Sequence, residues 1–154
     1  MTPVPPPTRV AIDHDDYHAE FVGHTADGRQ FFLTTPFRFA SDDDPGEEFV
    51  ALFLFDAAGT FLEAHIDSLG PRATLDRAHA QSVHDARLAS LGPVTYGRIE
   101  VAPFSVDRFG TTFGLLLRED TEFTEDGGDP WWVELEPGNY MAFASPWDSG
   151  EYDT

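Results

Sequence analysis

The sequence predicts a single α+β domain, a mainly antiparallel β-sheet packed against one principal α-helix over about residues 75–91. Three observations carry this. Short β-prone runs recur along the chain, separated by turns rich in Gly, Pro and Asp. Only one segment has sustained helical periodicity. The 154 residues match the common size of one domain, and no repeat or composition shift inside them marks a linker.

Residues 1–16 read as a Pro-rich, polar, flexible tail, because proline cannot donate a backbone hydrogen bond. They lack the basic and apolar regions of a secretory leader. The domain spans residues 17–147, and residues 148–154 form an acidic tail. Residues 17–25 and 29–34 read as a hairpin around Asp27 and Gly28, since Gly accepts the positive φ of a tight turn. Residues 41–48 form an acidic loop. Residues 49–55 (FVALFLF) are apolar on both faces and predict a central strand covered on each side. Glu47, Glu48 and Asp56 flank this run as charged gatekeepers. In residues 61–67, Leu62, Ala64 and Ile66 alternate with Glu63, His65 and Asp67, so one face is buried and one is wet.

Thr74 is the expected N-cap of the helix, Asp76 suits its positive end, and Gly92 with Pro93 stops it. Leu75, Ala78, His79, Ser82, Val83, Ala86 and Ala89 share the expected inner stripe, which makes His79 a core histidine. Residues 94–101, 105–109, 113–118, 131–136 and 140–144 read as strands, with an acidic loop at 119–129.

Charge narrows the partners. Nine basic residues, all Arg, face 28 acidic ones, for a net charge of −19. A small soluble domain carries a magnitude of roughly 2 to 8. Such a surface repels nucleic-acid phosphates and anionic lipid, and it accommodates a protein partner with a basic surface. A high-GC genome or salt adaptation also produces acidic, Arg-rich composition. The chain has no Cys, which excludes disulfides, thiolate metal sites and cysteine nucleophiles and fits a cytoplasmic protein. No run approaches the ~20 apolar residues of a membrane-spanning helix.

Motifs for chemistry are sparse. Asp13, His14, Asp15, Asp16, His18 and His24 hold metal-binding side chains, but no ligand spacing frames them, and a polar strand face explains them as well. The sequence has no nucleophile elbow, no phosphate-binding glycine loop and no EF-hand spacing. No catalytic, cofactor-binding or metal residue is assigned, and no cofactor is expected. The suggestive feature is aromatic residues beside acid. Trp131 and Trp132 follow the acidic loop, and Trp147, Asp148, Glu151, Tyr152 and Asp153 end the chain. Adjacent strand residues point to opposite faces, so one Trp of the pair faces out. Such a surface meets Arg-bearing partners through cation–π contact and carboxylate forks, while Trp residues capping the core are the alternative.

The segments FVGHTADGRQFFLTTPF (21–37), FVALFLFDAAGTFLEAHIDSLG (49–70), YGRIEVAPFSVDRFGTTFGL (96–115) and WWVELEPGNYMAFASPWDSGEYDT (131–154) resemble a family of small acidic bacterial proteins, the formate hydrogenlyase regulatory proteins of HycA type. The resemblance implies a cytoplasmic regulator that contacts a transcriptional activator without chemistry of its own. It supplies no functional residue. The expectation is a non-enzymatic regulatory or interaction protein with an acidic, aromatic-bearing surface. The alternatives are an immunity-type protein neutralising a basic toxin or nuclease, and an enzyme or small-ligand binder.

Overall fold

The computed structural model of the protein describes residues 6–15, 19–119, 131–137 and 142–143. In chain order the strands are β1 (Val10–Ile12), β2 (Phe21–Thr25), β3 (Gln30–Thr34), β4 (Phe37–Arg38), β5 (Glu47–Phe55) and β6 (Phe61–Gly70). The helix α1 (Arg77–Ala89) follows, then β7 (Val94–Tyr96), β8 (Ile99–Val101), β9 (Phe104–Arg108), β10 (Thr111–Glu119), β11 (Trp131–Glu136) and β12 (Ala142–Phe143). All strand pairings among the described residues are antiparallel. The chain is an α+β domain, mostly sheet, with one α-helix among the described residues. No described helix is long and apolar enough to cross a membrane.

The strands divide into a six-stranded sheet, a four-stranded sheet in the order β12-β11-β10-β9, and a β1-β8 ribbon. In the large sheet β3 and β4 lie along the same edge of β5. Thr34 faces Ala51 and Phe37 faces Glu48 in one unbroken register. Pro36 interrupts the two strands because it has no N–H, yet its carbonyl still accepts from Phe49 N at 3.0 Å. β6 covers the opposite edge of β5, and β2 and β7 extend the sheet beyond β3.

β5 is the central strand expected from its two apolar faces. Phe49, Ala51, Phe53 and Phe55 join Phe113, Leu115, Val133, Leu135 and Phe143 in a core between the two main sheets. Val50, Leu52 and Leu54 face the other way and join Phe31, Leu33 and Leu91, with Val83 and Leu88 of α1 against them. Seven Phe among the described residues are fully buried, and each such side chain contributes roughly 1.5–3 kcal/mol.

Several elements differ from expectation. Val10–Ile12, placed in the flexible tail by the sequence, is a buried strand paired with β8, so the folded body begins before residue 17. Its apolar side chains have a core to enter, and that outweighs the prolines before them. Residues 94–101 form two strands, because β7 pairs with β2 while β8 pairs with β1. In β6 a bulge sets Phe61 opposite Phe55 and Glu63 opposite Leu54, leaving Leu62 extra. Phe61, Ala64 and Ile66 therefore pack on the core, and Leu62 is exposed. The supposedly wet face of β6 is partly covered. Arg87 of α1 donates to both carboxylate oxygens of Asp67, at 2.8 and 3.0 Å.

The helix starts later and is rotated. Thr74 lies in a 3-10 turn, Arg72–Thr74, and Asp76 is the N-cap, accepting from His79 N at 3.1 Å. His79 is exposed, and His84 is the buried helix histidine. The sheet selects the face with volume, Val83, Leu88 and Leu91, over the stripe of alanines.

Two devices lock the layers. Gln30, buried at the end of β3, donates to Glu100 O (3.0 Å) and Asp56 O (3.1 Å) and accepts from Glu100 N (2.8 Å), which ties the ribbon to the large sheet. Gly114 in β10 has φ +143°, and a Cβ there would lie 2.2 Å from Phe104 O, so β9 crosses too close for any side chain.

Candidate functional site

The outer face of the small sheet carries the aromatic and acidic groups. Val133 and Leu135 of β11 are buried in the core, so strand alternation turns Trp132, Glu134 and Glu136 outward. Trp131 shares the inward face and pairs with Glu119 at the strand end. Both Trp residues are half-buried. The register of β10 against β11 sets Arg118 beside Trp132, and its Nε donates to Glu134 at 2.7 Å. Glu136 also lies near this guanidinium. Burial pushes its carboxyl above the ordinary range, and a hydrogen bond with Glu134 and that group's negative charge add to the effect. Arg118 opposes them. One guanidinium held by Glu134 thus lies near a second carboxyl, Glu136, next to an indole, an arrangement suited to holding a second cation from outside.

Of the expected partner-binding residues, Trp131 and Trp132 are on opposite sides of this strand. Trp147, Asp148, Glu151, Tyr152 and Asp153 lie outside the described residues. Sequence reasoning missed Arg118, Glu134 and Glu136. The alternation WWVELE contains the two acids, but the cross-strand Arg is found only once the pairing register is known.

The other basic groups are mostly engaged internally. Arg29 pairs with Asp27, Arg38 with Asp44 and Glu47, Arg72 with Glu48, Arg87 with Asp67, and Arg98 with Asp13. Arg9 and Arg108 donate to backbone carbonyls. Arg77 alone of the nine has no such partner among the described residues. No basic patch is left on the described surface, while Asp42 and Asp43 stand exposed and Phe39 is 66 % exposed.

The histidine-rich start does not assemble a metal centre among the described residues. His14 stacks on Tyr96 at 5.6 Å, and a His24 ring nitrogen lies 3.0 Å from Arg98 O. Asp13 receives Arg98, and Asp15 accepts from Ala19 N. Asp16 and His18 lie outside the described residues.

A concavity lies between the first half of α1 and the large sheet. It is a cleft of about 700 Å³. Phe21, Leu33, Val50, Leu69 and Leu75 line it with Glu20, Thr34, Thr35, Glu48, Arg77, Gln81 and His84. It exists because α1 presents Ala80, Gln81 and His84 there, while its large apolar residues come later. His84 is 8 % exposed, and its Nδ1 is buried with no hydrogen bond among the described residues, 3.7 Å from the Asp85 carboxylate. Leaving such a group unpaired costs about 1–3 kcal/mol.

No protein-family model, curated protein or solved structure matches this chain.

Proposed function

We propose that this chain is a non-enzymatic regulatory or interaction protein, which binds a basic protein partner through the Trp132, Glu134 and Glu136 face of its small sheet. The observation that carries this reading is that the single guanidinium of Arg118, beside Trp132, is held by Glu134 while the neighbouring Glu136 lacks a cation of its own among the described residues. An Arg or Lys from a partner supplies the missing charge and stacks on the indole. Engagement of the chain's own arginines by its own groups supports it, because the excess negative charge then faces outward as one field that speeds encounter. A cytoplasmic regulator is also what the formate hydrogenlyase regulatory resemblance implies.

The test is affinity capture from native cytosol at low and high salt, followed by titration of the identified partner. The expected result is one stoichiometric basic protein, released as salt rises, whose affinity falls about ten- to a hundredfold with Trp132→Ala. A partner that is itself a toxin or nuclease identifies the immunity-type role. A partner that binds Trp132→Ala and Glu134→Gln like the wild type removes this face from the reading. Saturable turnover of a substrate removes the non-enzymatic role.

A further inference from the structure

The cleft under α1 brings together, over an apolar floor, a cation and an anion with no ion pair among the described residues and a histidine whose buried Nδ1 makes no hydrogen bond among them. Arg77, the first residue of α1, is the one arginine side chain with no hydrogen bond or ion pair among the described residues, although 28 acidic residues compete for nine arginines. Glu20, on the sheet side of the same cleft, is exposed and makes no ion pair among the described residues. The remaining charged wall residue is satisfied internally, since Glu48 accepts Arg72 at 3.1 Å. Gln81 donates to Asp85 at 2.8 Å. His84 stands edge-on to Phe21, with ring centroids 4.5 Å apart, and its Nδ1 makes no hydrogen bond among the described residues, the Asp85 carboxylate lying 3.7 Å away.

We propose that this cleft binds a small zwitterion with an apolar side chain, of the free amino acid class. Its carboxylate meets Arg77, its ammonium meets Glu20, and its side chain lies on Phe21, Leu33 and Val50. The volume falls within the roughly 300–1,000 Å³ of small-ligand sites. A guanidinium donates to a carboxylate in a bidentate fork, and its place at the helix N-terminus adds the positive end of the dipole. Glu20 selects against a simple anion, because a ligand with only a carboxylate brings a second negative charge to the cleft. His84 supplies the hydrogen-bonding group of the wall. Bringing its Nδ1 to a ligand takes a rotation of the ring, so occupancy registers in the imidazole resonances. The small sheet takes no part in this cleft, and the site is independent of the partner face.

The experiment is a titration of the full chain with L-phenylalanine, 3-phenylpropionate and 2-phenylethylamine, followed by the imidazole resonances of His84 and by calorimetry. L-phenylalanine is expected to saturate and to shift His84, with each analogue binding about tenfold more weakly. Arg77→Gln is expected to weaken L-phenylalanine about five- to tenfold while leaving 2-phenylethylamine unchanged, and Glu20→Gln to spare 3-phenylpropionate in the same way. Both residues are exposed, so the core is untouched by either change. No shift of His84 with any probe at millimolar concentration overturns the proposal. So does either analogue binding as tightly as the amino acid.

Discussion

The two faces of β5 are equally apolar and differently covered. Phe49, Ala51, Phe53 and Phe55 meet a second sheet, whose aromatic side chains interlock with them. Phe53 lies 5.0 Å from Phe104, and Phe49 lies 4.8 Å from Phe113. Val50, Leu52 and Leu54 meet one helix, which fills the gap only with its last apolar residues. A sheet presents a continuous surface to a sheet, whereas a single helix presents one stripe. The sandwich side therefore holds the fold, and the helix side keeps a cleft.

The largest expected effect is on the sandwich side. Phe53→Ala should cost about 3–5 kcal/mol in urea unfolding, while Leu88→Ala on the half-buried helix face should cost about 1–2 kcal/mol. Equal losses would break the contrast between the faces. Next is Gln30→Ala, which removes two side-chain hydrogen bonds to Glu100 of the ribbon and one to Asp56 O, and leaves the N–H of Glu100 unpaired. A loss of about 1–3 kcal/mol is expected, with faster amide exchange at Glu100. A cost near zero would mean that water replaces the clamp. Asp76→Ala removes the N-cap of α1 and should cost about 1 kcal/mol, read as frayed amides in the first helical turn without change in the sandwich.

The smallest effect concerns pH. The Glu136 carboxyl is raised in the folded state, so the folded chain binds more protons than the unfolded one above the ordinary glutamate range. Its contribution is fully present below the unfolded value, about 4.5, and is lost as pH rises through the folded one. Glu136→Gln should flatten that part of the stability profile. An unchanged slope between wild type and variant would show that Glu136 titrates normally.

Much of the fold was legible where one physical cause dominates. The doubly apolar run at 49–55 admits only a covered strand, and the turn at Gly28, with φ +89°, closes the hairpin that Asp27 and Gly28 announce. The helix terminus at Gly92, φ +72°, was equally plain. The helix face was misjudged because periodicity counts alanines and leucines alike, whereas packing follows volume, which Val83, Leu88 and Leu91 supply. The bulge at Leu62 shifts the alternation by one residue, and only the partner strand reveals it. The site was half legible. Trp132 was marked, but Arg118 is 14 residues away along the chain and arrives through strand register alone.

The central position of β5 also bears on how the chain is made. Its odd-numbered face is covered chiefly by residues 99–143, which leave the ribosome after it. At about 5–20 residues per second, the nascent chain carries a bare Phe49, Phe53 and Phe55 for about 4–18 s before β12 is synthesised. The carboxylates of Glu47, Glu48 and Asp56 border that stretch throughout, and they keep neighbouring nascent chains apart until the second sheet closes.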